Sequence, residues 1–513
     1  MSSKAHRSAP PQQDWTGTLT MPSRSVREVS PDAMRVAALG LVLVAFLLRA
    51  WHLDGQSLWR DEVDVIRFAG WPLGQLAQSM TLAQHNGPLY YLFMRGWLTL
   101  AGDSEFALRF MSLCSGVLAV PLTWRVAEPL VGRRAALMAA LLIATSPYLI
   151  WYAQDGKMYA TVGALTLLAM WCWWRALEGG HFGWWTGSVV AGALSLYLHL
   201  LSALMLPVYA LVVVVNWPRH RRRWRRWLAT LGLLTLPYLP LAAWQLPLVW
   251  TTHQTGHTFV PLGEMLSWLL GLYARGVAMV GEWQVMVPFL FALLLGVFGP
   301  GTPGRLSFST WRARLFLVLW GFLPMVLVYA ISLRAPLFEP RYLIFTAPAF
   351  YVLAARGMVA LWRLTRPMGG VLLASVVAFS LLGIAVQTAR PLKSDFRAAA
   401  AFVAARYRNG EPIIFQMPYI RYVFDYYFRV EYAPLDGPWT NDGKTEESAG
   451  QLMASTVGEH AQIWLVSSES WLWDERGLTR AWLEAHAQLV DSAGFARVDV
   501  FRYEIQPPPT PGH

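Results

Sequence analysis

The chain has 513 residues, 55% of them hydrophobic and 14% charged, with 27 tryptophans and a formal net charge of +11. Soluble domains carry about 25% charged residues, so the composition excludes a soluble globular enzyme and describes an integral membrane protein. The positive charge does not describe a nucleic-acid binder. Six arginines crowd into residues 219–226 between two apolar runs, which is where a membrane protein collects charge in a cytoplasmic loop.

Residues 1–32 are polar and contain Pro, Ser and Arg, and no A-x-A cleavage site follows the next apolar run. They read as a disordered cytoplasmic tail ahead of an uncleaved first span. A span needs roughly 20 apolar residues. That ruler gives a first run at 33–50 and then a break at 51–104. Further runs follow at 105–126, 135–152, 157–177, 184–199, 200–217, 228–249, 284–299, 314–333, 342–361 and 371–388. The sequence therefore predicts an all-α polytopic protein of about eleven transmembrane helices. Residues 259–281 hold Pro261, Glu264 and Arg275, with Glu282 just beyond, and read as a re-entrant or interfacial piece. Residues 88–101, PLYYLFMRGWLTLA, are too short to cross and are interrupted by Arg95; they read as a helix lying in the interface. Cys114 and Cys172 both fall inside apolar runs, as buried small residues rather than a disulfide or a metal knuckle.

Loop charge orients the chain. With the N-terminus inside, the inner loops are 131–134, 178–182, 219–226, 305–314 and 363–366, and four of these five carry Lys or Arg clusters. The outer face then receives 54–64, Gln154-Asp155, His199, the 250–283 loop and Glu339-Pro340-Arg341. From about residue 391 the acids return and apolar runs shorten. Strands are predicted at 412–416, 462–467 and 497–505 and an amphipathic helix at 478–489. The domains are thus a transmembrane unit at 33–390, an extracytoplasmic α/β domain at 391–505 and a disordered tail at 506–513. No internal repeat stands out, which weakens a transporter built from inverted repeats.

Acids are scarce: 15 of the 31 lie in the first 390 residues, and four of those fall between Asp54 and Asp64. Acids at a membrane edge are expensive and usually functional. Asp61 and Glu62, beside Arg60 and Asp64, raise one another's pKa in a partly desolvated place and leave one carboxylate ready to take a proton. Asp155 offers a second catalytic or metal-binding acid, or simply a favourable helix-end charge. Lys157 in the same motif suits a phosphate as a point charge, with Tyr159 alongside. Arg341 suits a lipid phosphate through its planar fork, against snorkelling to the headgroups; Arg275 is a weaker candidate for that role. His85, His199 and Gln154 are candidates for substrate or metal, and His253 and His257 rank lower. The histidines and carboxylates leave a divalent cofactor ion (Mg, Mn or Zn) open. The Trp-rich edges read as an interfacial belt rather than a site. No Gly-rich phosphate loop is present, so a donor for an outer-face enzyme has to arrive already activated, as a lipid phosphate would.

In order, SLWRDE after the first span, HNGPLYY, GDSEFALRF, SPYLIWYAQDGKMYA, LYLHLLSALML and FEPRYLIF resemble the GT-C membrane glycosyltransferases. Within them the likeness is to the bacterial branch related to protein O-mannosyltransferases and lipid A aminoarabinose transferases, and it covers nearly all of 33–390. The resemblance implies inverting transfer of a hexose or pentose from a polyprenyl-phosphate donor to an acceptor hydroxyl. It places the family's first outer-loop acid on Asp61, completed by Glu62, and its second acidic motif on Gln154-Asp155. It implies a multi-pass protein of the bacterial plasma membrane whose partners are a polyprenyl-linked sugar, membrane lipid and an acceptor glycan, lipid or protein. Two motifs depart from the family. His85-Asn86-Gly87-Pro88 stands for His-Pro-Pro, and Gln154-Asp155-Gly156-Lys157 stands for Gln-Glu-Ala-Arg. The rival expectation is a transporter or flippase for a lipid-linked or anionic substrate, which needs a polar path to the inner face.

Overall fold

A computed structural model describes residues 31–79, 87–215, 217, 221–237, 239–240, 243, 257–279, 281, 283–300 and 310–505. Six helices among them are long and apolar enough to cross a membrane: Asp32–Ala50, Glu105–Val131, Tyr159–Leu177, Trp311–Ser332, Pro340–Leu364 and Arg366–Ala389. A seventh candidate is bent by 56°, where Arg133–Thr145 meets Pro147–Ala153. Three of the other expected runs fall on shorter pieces, Phe182–Leu198, Leu200–Val215 and Trp283–Phe298, and the run expected at 228–249 lies in part outside the described residues, with the helix Trp224–Thr235 at its start. The protein is a mostly helical, multi-pass membrane protein with a small C-terminal sheet domain.

Residues Pro340–Leu364 form the axis of the bundle, with the whole of the apolar stretch buried. Lipid gives apolar faces no reason to associate, so close packing has to come from small residues. Ala347, Ala349, Ala354, Ala355, Gly357 and Ala360 supply it here. A methyl group at Gly357 would collide with the Ala292 carbonyl of the neighbouring helix Met286–Phe298. Next to it, the buried Arg356 donates to the carbonyls of Gly296, Gly299 (3.2 Å) and Pro300 (2.9 Å), which that helix leaves unpaired at its end. Gly357→Ala is expected to cost about 1–3 kcal/mol, as overpacking does, read as a lower thermal unfolding midpoint in detergent micelles.

The segment expected to lie in the interface is a helix over its full length, Pro88–Ala101, with Pro88 in its first turn and Gly87 left-handed before it at φ 77°. The region expected to be re-entrant holds the helix Leu262–Arg275, whose 14 residues are too few to cross.

The C-terminal unit is a five-stranded sheet in the order β2-β1-β3-β5-β4, with β1 at Ile413–Phe415, β2 at Pro434–Asp436, β3 at Gln462–Ser467, β4 at Ala487–Phe495 and β5 at Val498–Ile505. The first three strands are parallel, and β3–β5 and β5–β4 are antiparallel. Burial of all three residues of β1 reflects a parallel interior strand covered on both faces. The expected helix at 478–489 stops at His486, because from Ala487 the chain pairs with β5 as β4. Alternation there is blurred by a bulge between Leu489 and Asp491, and β2 is too short to show any pattern.

Candidate active site

The bent pair of helices delivers the second acidic motif. Ser146 ends one helix and caps the next by accepting the Leu149 N–H (3.2 Å), with Pro147 in the first turn. That short helix ends at Gln154, whose amide donates to the carbonyls of Arg49 (3.1 Å) and Trp51 (2.7 Å). The turn 155–158 is thereby held against the end of the first span. Gln154 thus ties the second acidic motif to the end of the first span.

The first acidic motif opens the helix Arg60–Ala69, where a helix N-terminus favours negative charge. Its two leading acids have separate fates. Glu62 is completely buried: Arg109 grips it with a fork of Nε (2.7 Å) and Nη2 (2.8 Å). The Gly156 N–H (2.8 Å) and the Lys393 ammonium (2.9 Å) complete its partners. A Cβ at Gly156 would meet Leu108 at 2.7 Å, so only glycine lets the second motif approach this closely. Burial pushes Glu62 up, but Arg109 and Lys393 outweigh it and hold the carboxyl at about 2.

Asp61 keeps its reach. It is half-buried, with Oδ2 3.4 Å from Arg341 Nη1, and Arg341 is also 3.9 Å from Glu339. Burial raises Asp61, but the charges of Lys157, Arg341 and Arg60 prevail and hold it below its ordinary value. Asp64 goes the other way, because burial outweighs Lys157 and Arg67. Lys157 is buried 5.8 Å from the Tyr91 ring. Burial disfavours its charge, but Tyr91, Asp61 and Asp64 outweigh that and raise its pKa.

Asp155 is buried and half satisfied. Its Oδ1 accepts the Trp59 indole N–H (3.0 Å) and the Lys393 ammonium (3.3 Å), while Oδ2 has no hydrogen-bond partner in the protein. Burial raises its pKa more than Lys393 lowers it. The Trp59 ring lies 5.3 Å from the Arg341 guanidinium, which also sits 5.6 Å from the Tyr159 ring and 5.8 Å from the Tyr342 ring. Such an aromatic frame fixes a cation without neutralising it. His199 is buried beside that frame, 4.9 Å from Tyr342 and 5.8 Å from Tyr159, with both ring nitrogens unpartnered. His257 also reaches it, at 5.9 Å from Tyr342.

Asp61, Glu62, Asp155, Lys157, Tyr159, His199 and Arg341 therefore form one cluster. Arg275 does not join it, since its guanidinium donates to the Gly281 carbonyl at 3.1 Å. His85 and His253 lie outside the described residues. Sequence reasoning missed Arg109, Lys393 and Trp59, the last being a site residue where tryptophans were read only as belt. Arg109, a lone cation near the start of a long apolar helix, was a signal that a partner was needed. Lys393 carried no such signal, because it stands just past the last span among ordinary polar residues.

The described residues of the cluster present no divalent-metal site. Among the described residues no three His, Cys, Asp or Glu side chains converge on one point, and the Lys393 ammonium holds the place between Glu62 and Asp155.

The fold is the one that the resemblance to the GT-C glycosyltransferases implied, as known structures similar to this chain show. Residues 85–244 match the profile of the family described as dolichyl-phosphate-mannose-protein mannosyltransferase. Among solved structures, ArnT from Cupriavidus metallidurans bound to undecaprenyl phosphate is similar at 14% identity and a TM-score of 0.57, covering 92% of this chain and 98% of that one. AglB from Archaeoglobus fulgidus, an archaeal oligosaccharyltransferase in complex with an inhibitory peptide and a dolichol-phosphate, is similar at 11% identity and 0.52, covering 89% and 73%. The Archaeoglobus fulgidus oligosaccharyltransferase in complex with Zn and sulfate is also similar, at 11% and 0.52, covering 88% and 71%. No curated protein matches the chain by sequence.

Proposed function

We propose that the protein is an inverting glycosyltransferase that moves a sugar from a polyprenyl-phosphate donor to an acceptor hydroxyl at the outer face of the bacterial plasma membrane. The observation that carries this reading is the pairing of Asp61 with Arg341 beside buried Lys157. It sets a carboxylate and two phosphate-seeking cations together where the helices end. The orientation follows from loop charge, with the N-terminus inside and residues 391–505 outside.

In this mechanism Arg341 and Lys157 take the donor phosphate, the first as a fork and the second as a point charge. Their charge then serves the phosphate and no longer holds Asp61 down, so donor binding raises the basicity of Asp61. Asp61 accepts the proton of the acceptor hydroxyl as its oxygen attacks C1 of the sugar from the face opposite the phosphate. The new glycosidic bond forms, the C1–O bond to phosphate breaks, and the leaving polyprenyl phosphate carries its charge onto Arg341 and Lys157. Asp155 presents its unpartnered Oδ2 to a sugar hydroxyl, with His199 and Tyr159 completing the donor side. Glu62 is an anchor rather than a proton carrier, because Arg109, Gly156 and Lys393 occupy both its oxygens.

Arg341→Lys tests the phosphate role. Loss of a forked, charged hydrogen-bond pair is worth about 1.5–3 kcal/mol. The KM for the polyprenyl-phosphate sugar is therefore expected to rise by about 10- to 100-fold. An unchanged KM would remove Arg341 from the phosphate site.

A further inference from the structure

Outside the acid cluster, the most unusual surface is at the carboxyl ends of the parallel strands. The chain leaves β1 toward β2 on one side, while β3 lies on the other, which makes the crevice at the end of β1 the place where open α/β sheets bind ligands. Tyr419, Trp439 and Trp471 stand around that crevice with 53%, 47% and 57% of their surface exposed. Trp439 and Tyr419 both pack on Trp473, with ring centres 5.9 Å away in each case, one tilted at 36° and the other edge-on at 88°.

This shelf is held rigidly. Buried Asp474 accepts from Thr440 (2.6 Å), Gln416 (3.0 Å) and the N–H groups of Leu478 and Thr479 (both 2.9 Å). It thereby pins the two loops that carry Trp439 and Trp473. The Trp473 indole N–H is committed to the Gly437 carbonyl at 3.0 Å. A preorganised group of exposed rings is a binding surface more often than an accident.

The shelf also touches the catalytic loop. Glu469, two residues before Trp471, holds a left-handed backbone at φ 51° and ψ 33°, a conformation that side-chain-bearing residues adopt rarely. Its carboxylate Oε2 has no hydrogen-bond partner and lies 3.7 Å from Arg60 Nη1. Arg60 is the residue before Asp61.

We infer that Tyr419, Trp439 and Trp471, with Glu469 and Arg60, form a saccharide-binding platform that leads an acceptor glycan to Asp61. The inference rests on the transferase reading and names the chemical class of its acceptor. A pyranose ring presents C–H groups of partial positive charge on one face, which match the negative face of an indole. Its hydroxyls ring the edge, where Glu469 and Arg60 supply one acceptor and one donor. Insertion of the shelf into a bilayer fits less well, because Glu469 and Arg60 would enter a low-dielectric layer with it.

The test is saturation-transfer NMR on the full-length protein in lipid nanodiscs. The probes are maltotriose, chitotriose and a mannotriose, with a Ser/Thr-rich octapeptide for comparison. At least one trisaccharide is expected to receive saturation at its ring C–H protons. That signal should fall at least threefold in Trp439→Ala, persist in Trp439→Phe and persist in Asp61→Asn. Silence from all three sugars, a signal indifferent to Trp439→Ala, or saturation of the peptide alone would overturn the platform. A silent platform alongside an Asp61→Asn variant that has lost sugar transfer would leave the transferase reading standing. A Trp439-dependent sugar signal alongside unchanged transfer in Asp61→Asn would retain the shelf and remove that reading.

Discussion

Asp61→Asn is expected to lower the rate of sugar transfer by about 10²- to 10⁴-fold, the range that a positioned general base contributes, while donor lipid stays bound. The asparagine keeps the shape of the side chain and removes only its ability to take a proton. The Arg341 and Lys157 cations that hold the phosphate remain, so donor KM is expected to stay within a few-fold of wild type. The wild-type pH profile carries the same signature. Burial pushes Asp61 up, but Lys157, Arg341 and Arg60 hold it below its ordinary 3.8. With donor limiting, the rate should therefore hold its plateau through pH 5 and fall only beneath the ordinary carboxylate range. An acid limb centred near pH 6 would point to another base. Stopped transfer with a radiolabelled donor sugar measures both quantities.

Arg109→Ala is expected to be the most destabilising single change near the site, by about 3–5 kcal/mol, because it leaves the Glu62 carboxylate buried without its main partner. Four elements meet on that carboxylate: the helix Arg60–Ala69 through Glu62 itself, the long helix Glu105–Val131 through Arg109, the 155–158 turn through the Gly156 N–H, and the chain leaving the last span through Lys393. The double variant Glu62→Gln/Arg109→Met removes both charges and should recover much of the loss, since two apolar or neutral partners cost far less than one orphaned charge. Acid titration gives the complementary reading. Glu62 is held at about 2 against an ordinary 4.5, so its contribution is fully present above pH 4.5. It is lost as the pH falls through about 2, and Glu62→Gln should lack that part of the acid transition. Thermal and acid unfolding in detergent, followed by tryptophan fluorescence, reports each of these.

The membrane unit was legible because its code is strong and local. Runs of about 20 apolar residues and clustered arginines read directly, and the 14-residue helix Pro88–Ala101 was set apart by its length and Arg95. Three expected spans fall on helices of fewer than 18 residues, because hydropathy marks an apolar run but not a helix end inside it, such as the extended backbone of His199 between two of them. In the sheet domain β3 was read at its full extent, because Gln462–Ser467 is apolar and bounded by turn residues. The helix expected at 478–489 takes in only the first three residues of β4, whose outward residues are mixed and whose period a bulge breaks.

At the site, Asp61, Asp155, Lys157 and Arg341 announced themselves as charges at apolar boundaries. The division of labour between Asp61 and Glu62 did not, since it depends on Arg109 and Lys393, which are 47 and 331 residues from Glu62. The strap that brings Lys393 in is equally non-local. Gln56 Oε1 accepts the N–H groups of Leu392 and Lys393, each at 3.0 Å, and its amide donates to the Gln387 carbonyl at 3.0 Å. A contact of that kind leaves no periodicity in the sequence.

Mass spectrometry of the lipid held by the purified protein addresses the central claim most directly. Wild type and Asp61→Asn should both yield an isoprenoid phosphate, bare in the wild type after turnover and still sugar-loaded in the variant that cannot discharge it. An absence of isoprenoid from both, or the same bare lipid in both after incubation with loaded donor, would contradict the account.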